Sequence, residues 1–178
     1  MPKFKDISLE DFYKEINHVV PSCIRTMADE VTYSLHIILR YELEKAIFRG
    51  GVSARRLPQM WMDKMEELIG VRPESDKDGI LQDIHWAGGS FGYFPTYALG
   101  SAYAAQFYNT LSKQVDVDSL LQEGKFEIIR DWLKENIHQY GAYLDADEIL
   151  EKATGETFNP DYYINYLKEK YGSIYGIK

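Results

Sequence analysis

The amino-acid sequence predicts an all-α protein of about eight helices, and three observations carry that reading. Apolar residues recur at helical spacing along nearly all of the 178 residues. Capping residues bracket most of those runs, and no segment shows convincing alternation of period two. Ser8 before "LED" is an N-cap with acids in the first turn, opening a short helix that heads toward Pro21. From Ser22 a long helix is expected, with Ile24, Ala28, Val31, Leu35 and Ile38 as its buried stripe, ending at Gly50-Gly51. A third helix starts near Leu57-Pro58, where proline is tolerated in the first turn, and carries Met60, Trp61, Met65 and Leu68 to Gly70.

"GVRPESDKDG" reads as a polar loop, followed by the glycine- and aromatic-rich stretch "DIHWAGGSFGYFPTYALG". A helix then runs through "PTYALGSAYAAQFYNTL", with small residues at Ala98, Ala102 and Ala105. Four shorter segments complete the count: "VDSLLQEG", "FEIIRDWLKENIHQYG", "DADEILEKATG" and "NPDYYINYLKEKYG". All four close on a glycine, and the last two also open on an N-cap.

Length places residues 1–178 in a single domain, able to bury roughly 70% of its unfolded surface. Twenty Lys+Arg against 28 Asp+Glu give a net charge of −8, which argues against a broad nucleic-acid surface. No apolar run approaches the ~20 residues of a membrane span, and "MPKFKDISLEDF" lacks the apolar core of a signal peptide. With Cys23 as the only cysteine, no internal disulfide forms; a reducing, cytoplasmic setting is expected. Cys23 lies beside an apolar face and reads as a packed, inert thiol.

Two groups of residues are candidates for chemistry. Arg25, Asp29, Thr32 and His36 step by four, three and four, so a continuous helix aligns them in one polar stripe. A guanidinium there suits a carboxylate, including a peptide's free C-terminus; the plainer alternative is an Arg25–Asp29 surface ion pair. In the glycine-rich stretch, His85, Tyr93 and Tyr97 offer donors suited to a developing oxyanion. The alternative there is a tight aromatic turn with His85 satisfied in the core. His18, His36, His85 and His138 make no HEXXH pair. No phosphate loop or CxxC is present either. On its residues alone the chain offers substrate-binding groups and nothing that activates water.

Two long strings carry a resemblance. Ile24 to Tyr33 reads IRxxADE-x-TY, and Gly79 to Trp86 reads GxxQDxHW, continued by FGYFPTY from Phe91 to Tyr97. Along essentially its whole length the chain resembles the C-terminal part of the zinc metallocarboxypeptidases of the carboxypeptidase Taq (thermostable carboxypeptidase 1) family. Met27 departs from the family's more frequent glutamate and leaves Arg25 and Asp29 intact.

The resemblance implies a larger helical HEXXH-type fold whose zinc ligands precede this segment. The chain is then expected to be a C-terminal fragment with no cofactor of its own, zinc belonging to the complete enzyme. Carried over residue by residue, Arg25 resembles the arginine associated with the substrate's C-terminal carboxylate. His85 and Tyr97 resemble the pair that assists the transition state, with Tyr93 a further substrate-side candidate. Asp29, Gln82 and Asp83 fall to supporting positions. The expected partners are a peptide C-terminus, a complementary N-terminal chain and a second copy in a homodimer, with no nucleic acid and no membrane. The alternative is a non-catalytic all-α peptide-binding or assembly module that kept the groove.

Overall fold

A computed structural model describes residues 6–177. Eight α-helices and three single 3-10 turns make up the regular structure among the described residues, with no strand. None of these helices is long and apolar enough to cross a membrane. The contacts group the chain into two compact units, Met1–Ala98 and Leu99–Lys178.

The first unit contains α1 (Leu9–Ile16), α2 (Glu30–Arg49), α3 (Leu57–Ile69) and the opening residues of α4 (Pro95–Gln114). Ser8 caps α1 by accepting from the Asp11 amide, as its position predicts. α2 and α3 pack together around Leu39, Leu43, Trp61, Met65 and Ile69. Leu35, Met60, Leu68, Val71, Ile80 and Trp86 close over this cluster, with the Trp61 and Trp86 rings edge to face at 5.8 Å. Gly50 and Gly70 end α2 and α3 at positive φ, where an L side chain would be strained.

α2 starts later than the apolar spacing suggests. Residues Arg25–Met27 form a 3-10 turn, and Asp29 is the N-cap. Its Oδ1 accepts from the Val31 and Thr32 amides at 3.0 and 2.9 Å, and its Oδ2 accepts from the Thr32 hydroxyl and the Val20 amide. A carboxylate that satisfies two orphan amides is worth more at a helix start than inside one, so the chain breaks there. The change rewrites the buried face. Ile38, assigned to the core from spacing, is 43% exposed, whereas Thr32, His36, Ile37, Leu39, Arg40, Leu43 and Glu44 are buried.

The second unit contains the rest of α4, then α5 (Val117–Gln122), α6 (Phe126–Asn136), α7 (Ala146–Thr154) and α8 (Asp161–Tyr175). Leu111, Val117 and Trp132 form its core, with Phe107, Val115, Ile129, Leu133 and Ile137 packed around them. Asp145 caps α7 and forms a capping box with Glu148, and the helix ends on a left-handed Gly155. Two expected ends differ. The run from Phe126 is broken at Ile137 (φ −130°), leaving a separate 3-10 turn over His138–Tyr140. α8 passes through Gly172 to Gly176, because Gly172 lets the Ile177 amide fold back onto its own carbonyl at 3.0 Å. A Cβ at Gly172 would lie 3.1 Å from the Ile177 carbonyl oxygen.

Gln106, fully buried on α4, ties the segment between α7 and α8 to the helix. Its Nε2 donates to the Thr157 carbonyl at 3.0 Å and to the Thr154 hydroxyl at 3.3 Å, and its Oε1 accepts from the Asn159 amide at 3.0 Å. Gln106→Leu preserves bulk but leaves those backbone groups without partners. It should destabilise the protein by about 1–3 kcal/mol in urea unfolding; an unchanged midpoint would contradict the assignment.

A candidate active-site loop held by a shared carboxylate

Asp83 lies between two arginines from different segments of the first unit. Arg25 Nη2 donates to Asp83 Oδ1 at 2.7 Å, and Arg25 Nη1 donates to the Tyr33 hydroxyl at 3.1 Å. From α2, Arg40 directs Nε and Nη2 onto Oδ2 at 2.8 and 2.5 Å and donates through Nη1 to the His36 carbonyl. Both guanidiniums lie over aromatic faces, Arg25 over Tyr97 at 5.0 Å and Arg40 over Trp61 at 4.5 Å. Arg25 and Arg40 are buried, and the Asp83 side chain is nearly so.

Burial alone would raise the Asp83 carboxyl, but the hydrogen bond from Arg25 and the charge of Arg40 outweigh it, and the group falls below its ordinary range. Arg40, sealed from solvent, is pushed down to about 10 by burial against the pull of Asp83, and so remains protonated at neutral pH. For the less buried Arg25, burial is overcome by the Asp83 hydrogen bond and the guanidinium moves upward. Two cations thus share one carboxylate.

The neighbouring residues complete the clamp. Gln82 Oε1 accepts from the Arg25 amide at 2.9 Å, and its Nε2 donates to the Cys23 and Asp78 carbonyls. Burial raises the Cys23 thiol, in keeping with a packed cysteine. Farther along the loop, Glu44 on α2 accepts from the Trp86 indole at 2.7 Å and from the Gly92 amide at 3.1 Å. Gly92 has φ 78°, which turns its N–H onto that buried carboxylate.

Between these anchors, His85 Nε2 is 3.0 Å from the Tyr97 hydroxyl. Its Nδ1 is buried with no hydrogen-bond partner and lies 4.0 Å from Asp83 Oδ1. The His85 ring packs 4.5 Å from Phe94 and stacks on Tyr93 at 5.8 Å, and Tyr93 meets Tyr97 edge to face at 5.3 Å. Pro95 at the start of α4 places Tyr97 in its first turn. Burial, followed by the proximity of Tyr93, raises the Tyr97 hydroxyl, so it keeps its proton at neutral pH.

Arg25, Gln82, Asp83, His85, Tyr93 and Tyr97 are therefore neighbours. Asp29 is adjacent in sequence but is occupied in capping α2. The Arg25–Asp29 surface pair does not form, because Arg25 is buried and bound to Asp83, and the polar stripe through Thr32 and His36 faces inward. Arg40, Glu44, Tyr33 and Phe94 escaped the sequence reading. Arg40 and Glu44 continue the stripe from His36 in steps of four, and that extension was the available signal. A groove of about 420 Å³ borders Glu44, lined by Tyr41, Lys45, Phe48, Phe91, Gly92 and Pro95. Arg25, His85 and Tyr97 do not line it.

Among the described residues no three His, Cys, Asp or Glu side chains converge to hold a metal ion. Asp83 is taken up by two arginines and Glu44 by Trp86 and Gly92, so these carboxylates do not fit a metal centre.

His36 adds a pH dependence. Its ring is fully buried, and neither nitrogen has a hydrogen-bond partner. Burial first, then the charges of Arg40 and Arg25, push it down to about 4 from 6.5. The unfolded chain therefore binds this proton more readily than the folded one between those values. Stability should be full above pH 6.5 and decline by about 3 kcal/mol as pH falls toward 4. Replacing His36 by Leu should flatten that decline in denaturant unfolding at several pH values; an identical slope in the variant would refute the assignment.

The described fold agrees with the comparisons. The family described as "Carboxypeptidase Taq (M32) metallopeptidase" matches residues 1–171. Carboxypeptidase 1 of Bacillus subtilis is 50% identical over 174 residues, which are 97% of this chain and 35% of that protein. Thermostable carboxypeptidase 1 of Thermus thermophilus is 45% identical over 96% of this chain and 34% of its own length. The solved structure of a Pyrococcus furiosus carboxypeptidase superposes with a TM-score of 0.92 at 44% identity, over 96% of this chain and 35% of that one. The chain thus spans about a third of the length of the curated relatives it matches. With the matched residues including both anchoring arginines and the His85 loop, the chain belongs to the carboxypeptidase Taq family of metallopeptidases.

Proposed function

We propose that this chain forms the substrate side of a metallocarboxypeptidase, binding a peptide by its C-terminal end. The observation that carries this reading is the His85–Tyr97 contact beside a cluster with surplus positive charge. Arg25 and Arg40 against Asp83 alone leave one cation uncompensated in a poorly solvated setting, which favours an incoming carboxylate. Arg25 also fixes the loop through Asp83, Tyr33 and Gln82, so its part in recognition is joined to a part in anchoring.

Tyr97 keeps its phenolic proton and is hydrogen-bonded to His85 Nε2 in the resting loop. When the substrate binds, the same hydroxyl turns to the oxygen on which negative charge develops. Tyr93, half exposed beside both rings, borders the substrate. A metal in the family's complete enzymes supplies activation of water. Among the described residues no set of side chains converges to bind such an ion, which supports reading the isolated chain as one that binds without cutting. A non-catalytic peptide-binding module would share this geometry and differ only in having no metal-bearing counterpart.

A peptide with a free C-terminus should bind the purified chain at least tenfold more tightly than its amidated form by calorimetry. Arg25→Ala should remove that preference, and exposed Lys168→Ala should keep it. Equal affinity for both peptides would overturn the binding reading. Stoichiometric zinc together with release of C-terminal residues by the chain alone would overturn the proposed inactivity.

A further inference from the structure

The surplus positive charge around Asp83 is buried, and one hydrogen bond carries it outward. Arg40 is fully buried and commits its guanidinium to Asp83 and the His36 carbonyl. Arg25 directs Nε and Nη2 onto Asp83, and its side chain is only 8% exposed. Neither cation therefore meets an incoming carboxylate openly. The remaining contact of Arg25 points the other way. Its Nη1 donates to the Tyr33 hydroxyl at 3.1 Å, and Tyr33 is only partly buried.

A phenol both accepts and donates, so a hydroxyl that accepts from a guanidinium still has its own proton to give. Among the described residues no acceptor takes that proton. Hydrogen bonds in sequence polarise one another, and the Arg25 charge strengthens the Tyr33 O–H as a donor. A carboxylate bound to it gains a charge-assisted bond while Arg25 stays on Asp83. Direct binding to Arg25 Nη1 would instead compete with Tyr33 for the same donor group.

The position of Tyr33 is fixed by the local fold. It stands in the first turn of α2, where its amide donates to the Asp29 carbonyl at 2.9 Å. Tyr97 lies against the same guanidinium by its ring face, 5.0 Å from the Arg25 centre, and its hydroxyl is on His85 Nε2. Two phenols thus flank one cation, and only that of Tyr97 is engaged with the histidine.

We infer that Tyr33 is the residue that touches the peptide's C-terminal carboxylate, donating its phenolic hydrogen to it while Arg25 supplies the charge from behind. This rests on the reading that the chain grips a peptide by its C-terminal end, and it assigns the contact to a side chain other than the arginine.

Two peptides of one sequence, with a free or an amidated C-terminus, would be titrated by calorimetry into the purified chain and into Tyr33→Phe. The parent's preference for the free acid, at least about tenfold, should fall to about twofold or less in the variant, with the amidated peptide bound equally by both. A purely structural role would weaken both peptides together. In the parent labelled with carbon-13 tyrosine, the Tyr33 Cζ resonance should move on adding the free-acid peptide and stay in place with the amide. That resonance is read without a variant, so it decides the matter even where Tyr33→Phe unfolds. Absence of any preference in the parent would overturn the binding reading and this assignment together. A preference that survives in Tyr33→Phe, both peptides weakened alike, or a Tyr33 resonance indifferent to the free acid would overturn the assignment to Tyr33 alone.

Discussion

One carboxylate shared by two buried guanidiniums organises the first unit. Arg25 comes from the turn before α2, Arg40 from within it, and Asp83 from a segment more than forty residues farther along. Taking these charges out of water is costly, and the net contribution of such a cluster to stability is small when all partners are present. Its value is positional. Removing Asp83 would leave two buried cations facing each other, a loss of about 3–5 kcal/mol by the usual cost of breaking a buried pair. The loop is thus confined to the register that keeps Asp83 between them.

That register determines the rest of the site. With Asp83 and Gln82 fixed at one end and Trp86 and Gly92 bound to Glu44 farther along, His85 has little freedom. Phe94 serves both halves, packing under the His85 ring and beneath the two guanidiniums. The helix that begins at Pro95 then brings Tyr97 within hydrogen-bond distance of Nε2. A histidine and a tyrosine twelve residues apart become a pair through charges located on two other segments.

What could be read in the sequence was local. Ser8, Gly50, Gly70, Asp145 and Gly155 terminate helices where their own chemistry dictates, because each acts within a turn of itself. Of the GxxQDxHW string, Gln82 and Asp83 bind Arg25 and His85 binds Tyr97, so the string and its continuation lie together on one loop. The errors came where two local preferences competed or tertiary contacts decided. Asp29 had a place in an apolar-periodic run and a stronger one as a cap, and the cap won. Spacing sets Arg40 and Glu44 on the face of His36 and goes no further. Their partners lie more than forty residues away, beyond any spacing rule.

The most direct measurement is the nuclear Overhauser contact between the His85 and Tyr97 rings in the protein and in Asp83→Asn, with stability restored by an osmolyte so that both remain folded. The clamp predicts that the contact is present in the parent and lost in the variant, while contacts among Leu43, Trp61 and Met65 persist. A His85–Tyr97 contact of undiminished strength in Asp83→Asn would show that the loop holds its shape without the shared carboxylate.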